Sequence, residues 1–275
     1  MVTEPEPLED ANDWKPWWVV VVAAGGLLAS FVIGEIILVA AYGGHFTTAE
    51  ANNPTPAVTD LSTALTDVAF ILVAIIVAFW AGRPWPAQFG LRRPTVTLPR
   101  VAAIVVAGYV LFLLFSLLWQ LVVDSHANEH YLVKDIGAKS GTAGVLAACF
   151  VVGVVAPFCE EFLFRGFIFG ALRNWRGPVV AALLTGVLFG AVHVGSAPGV
   201  DLVPLGVFGV MLCAIRQYTG SLYPGVALHS LNNSVALVST AGWGVSAFFG
   251  VLLGSFALLA LAVFVGQRSL RLRLV

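Results

Sequence analysis

Eight apolar stretches constrain this chain more than any other feature. They lie at 17–42, 61–81, 100–123, 142–172, 178–195, 202–218, 222–240 and 244–266. A helix of about 20 apolar residues crosses the hydrocarbon core of a bilayer and satisfies its own backbone polar groups on the way. The expected fold is therefore all-α, a polytopic membrane helix bundle with about eight transmembrane helices. Composition agrees: 59% of the 275 residues are hydrophobic and 11% are charged, against roughly 25% charged in soluble domains. The net charge of −1 argues against nucleic acid as a partner and leaves the lipid bilayer as the first one. Cys149, Cys159 and Cys213 all fall in apolar segments, with neither disulfide nor zinc-ribbon spacing, and read as small core residues.

The flanks differ in character. Residues 1–16 are acidic and Pro-rich, lack the basic start of a secretory signal, and are expected to be a disordered cytoplasmic tail. The helical bundle is expected over 17–266, with its core at about 100–240, and a basic cytoplasmic tail over 267–275. The Pro- and Arg-rich loop around 82–100 is expected to hold a short interfacial helix. With both termini in the cytoplasm, eight spans put Lys15, Arg83, Arg92, Arg93, Arg100, Arg173, Arg176, Arg216, Arg268, Arg271 and Arg273 on the cytoplasmic side. Only Lys134 and Lys139 then face outward, which is the bias cell-membrane proteins show.

Arg165 is left inside the membrane, in "APFCEEFLFRGF", with Glu160 and Glu161. Ionisable groups at that depth are expensive and default to a functional hypothesis; the bland alternative is a structural ion pair with a spare acid. Four residues apart on a helix, Glu161 and Arg165 share a face and can pair. Glu160 points about 100° away and is free to act. Pro157 removes a backbone donor and loosens the helix just before the acids. The fifth stretch carries His193, and the seventh carries His229 and Asn233, four apart, with Asn232 slightly offset. A membrane His or Asn is as often helix glue as chemistry.

Depth joins them. At 1.5 Å per residue, Glu160, His193, His229 and Asn233 lie roughly 18, 22, 10 and 17 Å up their helices from the cytoplasmic ends. A desolvated carboxylate can act as general base on water, an imidazole can orient that water, and a second imidazole with an amide can hold an oxyanion. Such a set suffices for attack on a peptide carbonyl without a Ser or Cys nucleophile. Glu160, His193 and His229 could alternatively hold a zinc ion with an open position for water.

Three motifs carry a resemblance: "EEFLFR" (Glu160 to Arg165), "FGAVH" (Phe189 to His193) and "HSLNN" (His229 to Asn233). In order, on successive apolar segments, they resemble EExxxR, FxxxH and HxxxN of the CAAX protease and bacteriocin-processing family of intramembrane proteases, related to the type II CAAX prenyl endopeptidases. The resemblance covers roughly residues 100–240. It implies an eight-helix bundle whose site opens into a membrane cavity. It implies Glu160 as general base, His193 as the residue that helps activate water, and His229 with Asn233 as the oxyanion pair. Glu161 and Arg165 match the remaining, supporting positions. The family is often called metalloproteases; the expectation here is no tightly bound metal, with zinc on Glu160, His193 and His229 as the alternative.

The expected activity is hydrolysis of a peptide bond in a membrane-associated or lipid-modified polypeptide. A proton-coupled transporter would use the same groups as a relay but would show matched halves, which the sequence lacks. A non-catalytic scaffold or immunity protein would keep the motifs for folding alone. Neither HExxH, a rhomboid-like GxSG nor a presenilin-like GxGD occurs. Glu35 and Asp67 are further intramembrane acids, expected to line the cavity or bind across helices, or, for Asp67, to be simply hydrated near the outer interface; Trp17, Trp18, Trp80 and Trp85 suit an interfacial belt.

Overall fold

The computed structural model describes residues 12–44, 47–52, 54–82, 84, 86–123, 142–194 and 196–272. Among these the chain is helical, with no β-strand and one isolated bridge between Val194 and Ala197. It is an all-α membrane helix bundle. Its elements are α1 (Trp17–Tyr42), the short α2 (Thr48–Asn52), α3 (Pro56–Ala81) and α4 (Leu98–Val123). A long composite helix follows: α5 (Thr142–Phe150), a π-helical segment (Val151–Val155), α6 (Ala156–Glu161), a second π segment (Phe162–Ile168) and α7 (Phe169–Ala191). Then come α8 (Leu202–Thr219), α9 (Tyr223–Thr240) and α10 (Val245–Leu272).

Among the described residues, five helices are long and apolar enough to cross a membrane: Trp17–Tyr42, Ala57–Ala81, Leu98–Val123, Thr142–Ala191 and Gly199–Thr219. The 50-residue Thr142–Ala191 run holds two of the expected spans. It breaks at Gly177, whose φ of 77° leaves helical space, and Pro178 starts the next helix. α9 is not among the five, because His229, Ser230, Asn232, Asn233 and Ser234 interrupt its apolar run. In α10 only Val245–Leu261 enters that comparison.

The composite helix is the centre of the bundle. α3, α9, α10 and α7 pack around its π segments and α6, while α1 pairs with α3 and α4 lies on α8. Phe162, Phe167, Phe189, Phe208, Leu212 and Leu228 fill the core between them. The outward sides of α1 and α4 are the reverse of a soluble protein's surface: Leu27, Phe31, Leu118, Leu121 and Val122 are exposed. Such a continuous apolar surface suits lipid. α7 and α8 touch backbone to backbone. A Cβ on Gly186 would stand 2.6 Å from the Gly206 carbonyl, and one on Gly190 2.5 Å from that of Leu202. Small residues are how membrane helices approach this closely.

Arg92, Arg173 and Arg216 lie at the end of the bundle that carries the α8–α9 connection, and expectations are corrected there. No helix forms in 86–97; turns there bond to the α8–α9 connection instead, with Leu222 N–H donating to the Gly90 carbonyl at 2.9 Å and Thr95 N–H to Thr219 at 2.9 Å. The loose tail expected over 1–16 does not hold for its last residues. Residues 1–11 lie outside the described residues, but Trp14 is buried between Phe89 and Phe167, with ring centroids 4.8 and 4.9 Å away. An indole is large enough to dock a segment that composition alone marks as polar. Likewise α10 stays helical to Leu272, so the tail expected from 267 is helix as far as it is described; 273–275, like Arg83, Trp85, Lys134 and Lys139, lie outside.

Candidate active site

Pro157 organises the site's scaffold. It has no N–H, so the carbonyls one helical turn before it lack their usual donor. The chain widens there into the first π segment, with Ala156 N–H bonded to the Val151 carbonyl. α9 supplies the missing donors: Ser230 Oγ donates to the Gly153 carbonyl at 2.6 Å and Asn233 Nδ2 to the Val152 carbonyl at 3.1 Å. A break in one helix is thus closed by polar groups of another, as a bilayer demands of freed backbone groups. π segments of this kind are frequent at functional sites.

The two glutamates that follow diverge. Glu161 is buried and meets Arg165 at 2.8 Å, the pair that their spacing predicts. Arg165 also donates to the Gly209 carbonyl at 3.1 Å and lies over the Phe189 ring, 4.4 Å from its centroid. His229 donates from Nδ1 to the same Glu161 oxygen, Oε1, at 3.1 Å. Its ring is wedged edge-on between Phe189 and Phe208, each at 5.6 Å. Gly225 lets α9 come this near, since a Cβ there would stand 2.8 Å from Glu161 Oε2.

Glu160 turns to the other side, with 21% of its side chain exposed. Its Oε2 receives no hydrogen bond among the described residues. It faces two imidazoles: His229 Nε2 at 3.8 Å and His193 Nε2 at 4.0 Å. Those gaps are too long for a direct hydrogen bond and short enough for one water to touch both sides. His193 sits just past the end of α7, and its Nδ1 lies 2.7 Å from the Phe189 carbonyl. A carbonyl only accepts, so Nδ1 carries the proton and Nε2 of the neutral ring presents a lone pair toward Glu160.

Glu160 and His193 line a cavity of about 700 Å³. Its other walls are Leu27 and Ser30 of α1; Ser62, Thr63, Thr66, Asp67 and Phe70 of α3; and Leu188, Val192 and Ser196 at the end of α7. Of the two further acids, Asp67 is on this wall; Glu35 is exposed on α1 and is not. Cys159 also lines the cavity, and all three cysteines are free thiols.

The structure therefore brings Glu160, His193, His229, Glu161 and Arg165 together. Asn233 has an amide N–H committed to Val152. Sequence reasoning passed over Ser230; the signal was a serine one residue after His229 on the helix that must answer Pro157. No group of three or more His, Cys, Asp or Glu among the described residues is arranged to hold a metal ion. The Nδ1 atoms of both imidazoles are already spent on protein acceptors. Both Nε2 atoms, which face Glu160 Oε2, are left as the nitrogens open to a water or a metal ion.

Residues 142–235 match the family described as type II CAAX prenyl endopeptidase Rce1-like. This segment runs from the start of α5 into α9 and contains every residue of the constellation. The chain is also similar to the UPF0177 protein YxdF of Lactococcus lactis subsp. lactis (strain IL1403), 40% identical over 66 residues, or 23% of this chain. That similarity spans 36% of the length of the curated relative. No solved structure matches the chain.

Proposed function

We propose that this chain, Rce1-like over residues 142–235, is an intramembrane endopeptidase that hydrolyses a peptide bond of a membrane-associated or lipid-modified polypeptide. The observation that carries the reading is Glu160 Oε2, open to a cavity and opposed by two imidazole nitrogens at 3.8 and 4.0 Å. Two acceptors, Glu160 Oε2 and His193 Nε2, can each take one hydrogen of a single water. Its lone pair is then left to attack a carbonyl held in the cavity. Glu160 receives the proton as the C–O bond forms and returns it to the leaving amine as the C–N bond breaks.

The oxyanion needs donors. His229, whose Nδ1–H is held by Glu161, donates from Nε2 when it carries a second proton. Asn233 Nδ2 has a second N–H beyond the one given to Val152. Glu161 and Arg165 hold His229 and do not touch the substrate in this reading. The core of the machinery runs from about residue 100 to 240. The basic end of the bundle lies in the cytoplasm, as the excess of Lys and Arg there supports. The cavity then lies toward the opposite face, near the start of α3 and the end of α7.

The test is cleavage of a quenched-fluorescent peptide library, with and without a C-terminal lipid, by the purified chain in liposomes. Wild type runs beside Glu160→Gln, each with and without a zinc chelator. Loss of cleavage in Glu160→Gln alone supports a glutamate-activated water. Loss with chelator in the wild type would replace it by a metal mechanism. Equal cleavage by both proteins would remove Glu160 as the base.

A further inference from the structure

The wall of the cavity opposite Glu160 is not apolar. α3 contains an 18-residue stretch with a mean hydropathy of 2.4, yet Ser62, Thr63, Thr66 and Asp67 all turn to the cavity. Their spacing of one, four and five residues makes one helical face. Asp67 Oδ2 is buried and receives no hydrogen bond among the described residues. The carboxyl and that of Glu160 line the same cavity. Among the described residues, no Lys or Arg lines the cavity. Arg165, the nearest intramembrane cation in sequence, is taken up by Glu161 and Gly209 on the far side of the helix. Two carboxyl groups thus face one space with no described Lys or Arg between them. Nothing in the hydrolytic scheme uses Asp67. An unmatched acid inside a membrane is expensive and calls for a partner.

We propose that Asp67 is a specificity residue that receives a positively charged side chain of the substrate, so that the preferred peptide carries Lys or Arg close to the scissile bond. The hydroxyls of Ser62, Thr63 and Thr66 flank the cation's path along α3 and accept its remaining hydrogen bonds. The neutral Glu161–Arg165 pair leaves the site's field negative, which favours the same charge. This inference rests on the endopeptidase reading but concerns a different wall of the cavity and has its own readout.

The experiment compares matched fluorescent peptides that differ only in Lys against norleucine at each position flanking the cleaved bond. Full-length wild type, Asp67→Asn and Asp67→Glu are assayed in liposomes. Wild type is expected to favour one lysine peptide by on the order of ten-fold or more in kcat/KM, the scale of a desolvated charge contact. Asp67→Asn should lose that preference, its kcat/KM on the lysine peptide falling to that on its norleucine match, and Asp67→Glu should keep it. Matched unfolding of Asp67→Asn and wild type in mixed micelles shows that the variant folds. A uniform loss on all peptides, or a shifted pH profile with selectivity intact, would overturn the proposal and make Asp67 a proton partner of Glu160.

Binding separates the two readings. Fluorescence anisotropy measures the same peptides on Glu160→Gln and on the Glu160→Gln/Asp67→Asn double variant. A lysine preference present in the first and lost in the second supports the inference even if no peptide is cleaved. Equal binding by both overturns it even if cleavage is robust.

Discussion

Glu160 and Glu161 are adjacent in sequence and lie in opposite environments. Glu161 faces into the bundle, where Arg165 at 2.8 Å and His229 at 3.1 Å meet its charge. Glu160 faces a cavity of about 700 Å³, and the nitrogens nearest its Oε2 stand back by 3.8 and 4.0 Å. A step of about 100° around a helix separates a compensated charge from an available one. The compensated side builds the site, because it fixes the ring of His229. The available side is where a reacting molecule finds unspent hydrogen-bonding capacity. Stability and chemistry are therefore divided between neighbouring residues, and substitutions should divide the same way.

The largest contrast is expected at the glutamates themselves. Glu160→Gln should lower peptide cleavage by on the order of 10²–10⁴-fold, the usual contribution of a general base, and leave unfolding in mixed micelles unchanged. Breaking the closed side should do the opposite first. Arg165→Met takes the guanidinium from buried Glu161 and leaves His229 as its described partner; it should cost about 3–5 kcal/mol, read as loss of folded protein in the same unfolding assay. If Arg165→Met unfolds like wild type, the ion pair is not what holds α6 in place.

The two histidines sharpen the comparison. His193 is 23% exposed in its side chain and anchored by a single bond to Phe189. His193→Gln should cut turnover by on the order of 10²-fold with little change in stability. His229 is 4% exposed and wedged between two aromatic rings, so His229→Gln should lower turnover and stability together. Equal thermal behaviour of the two variants would break the distinction between the closed and open sides.

The smallest effect is expected at the scaffold. Ser230→Ala removes the donor to the Gly153 carbonyl and should destabilise by roughly 0.6–1.7 kcal/mol, the range of interhelical hydrogen bonds in membranes. In a Pro157→Ala background the cost should shrink, because the alanine brings a backbone N–H of its own. A double-mutant cycle measures the difference. Additive effects would mean that Ser230 does not compensate for Pro157.

Much of the bundle was legible because a bilayer leaves few solutions. The apolar stretches correspond to helices, with α3 beginning at Pro56 rather than 61 and α7 ending at Ala191 rather than 195. The Glu161–Arg165 pair was legible too, since four residues on a helix is a local distance. Residues 12–16 were misjudged because Trp14 finds its pocket on Phe89 and Phe167, which are distant in sequence. The 86–97 loop was misjudged for a similar reason: its backbone partners belong to the α8–α9 turn. Asn233 could be read as glue or as chemistry, and its bond to Val152 gives it the first of these at least.

Sequence alone determined that this chain must be a helical membrane protein and that Glu161 would find Arg165, because both follow from rules acting within one helix. Only the tertiary structure decided which glutamate faces open space, which nitrogen of each histidine is spent, and that Asp67 shares the cavity. Those depend on how separate helices abut. Here that abutment is set by the π segments around Pro157, the Ser230 and Asn233 bonds that close them, and the glycines that let α7 meet α8.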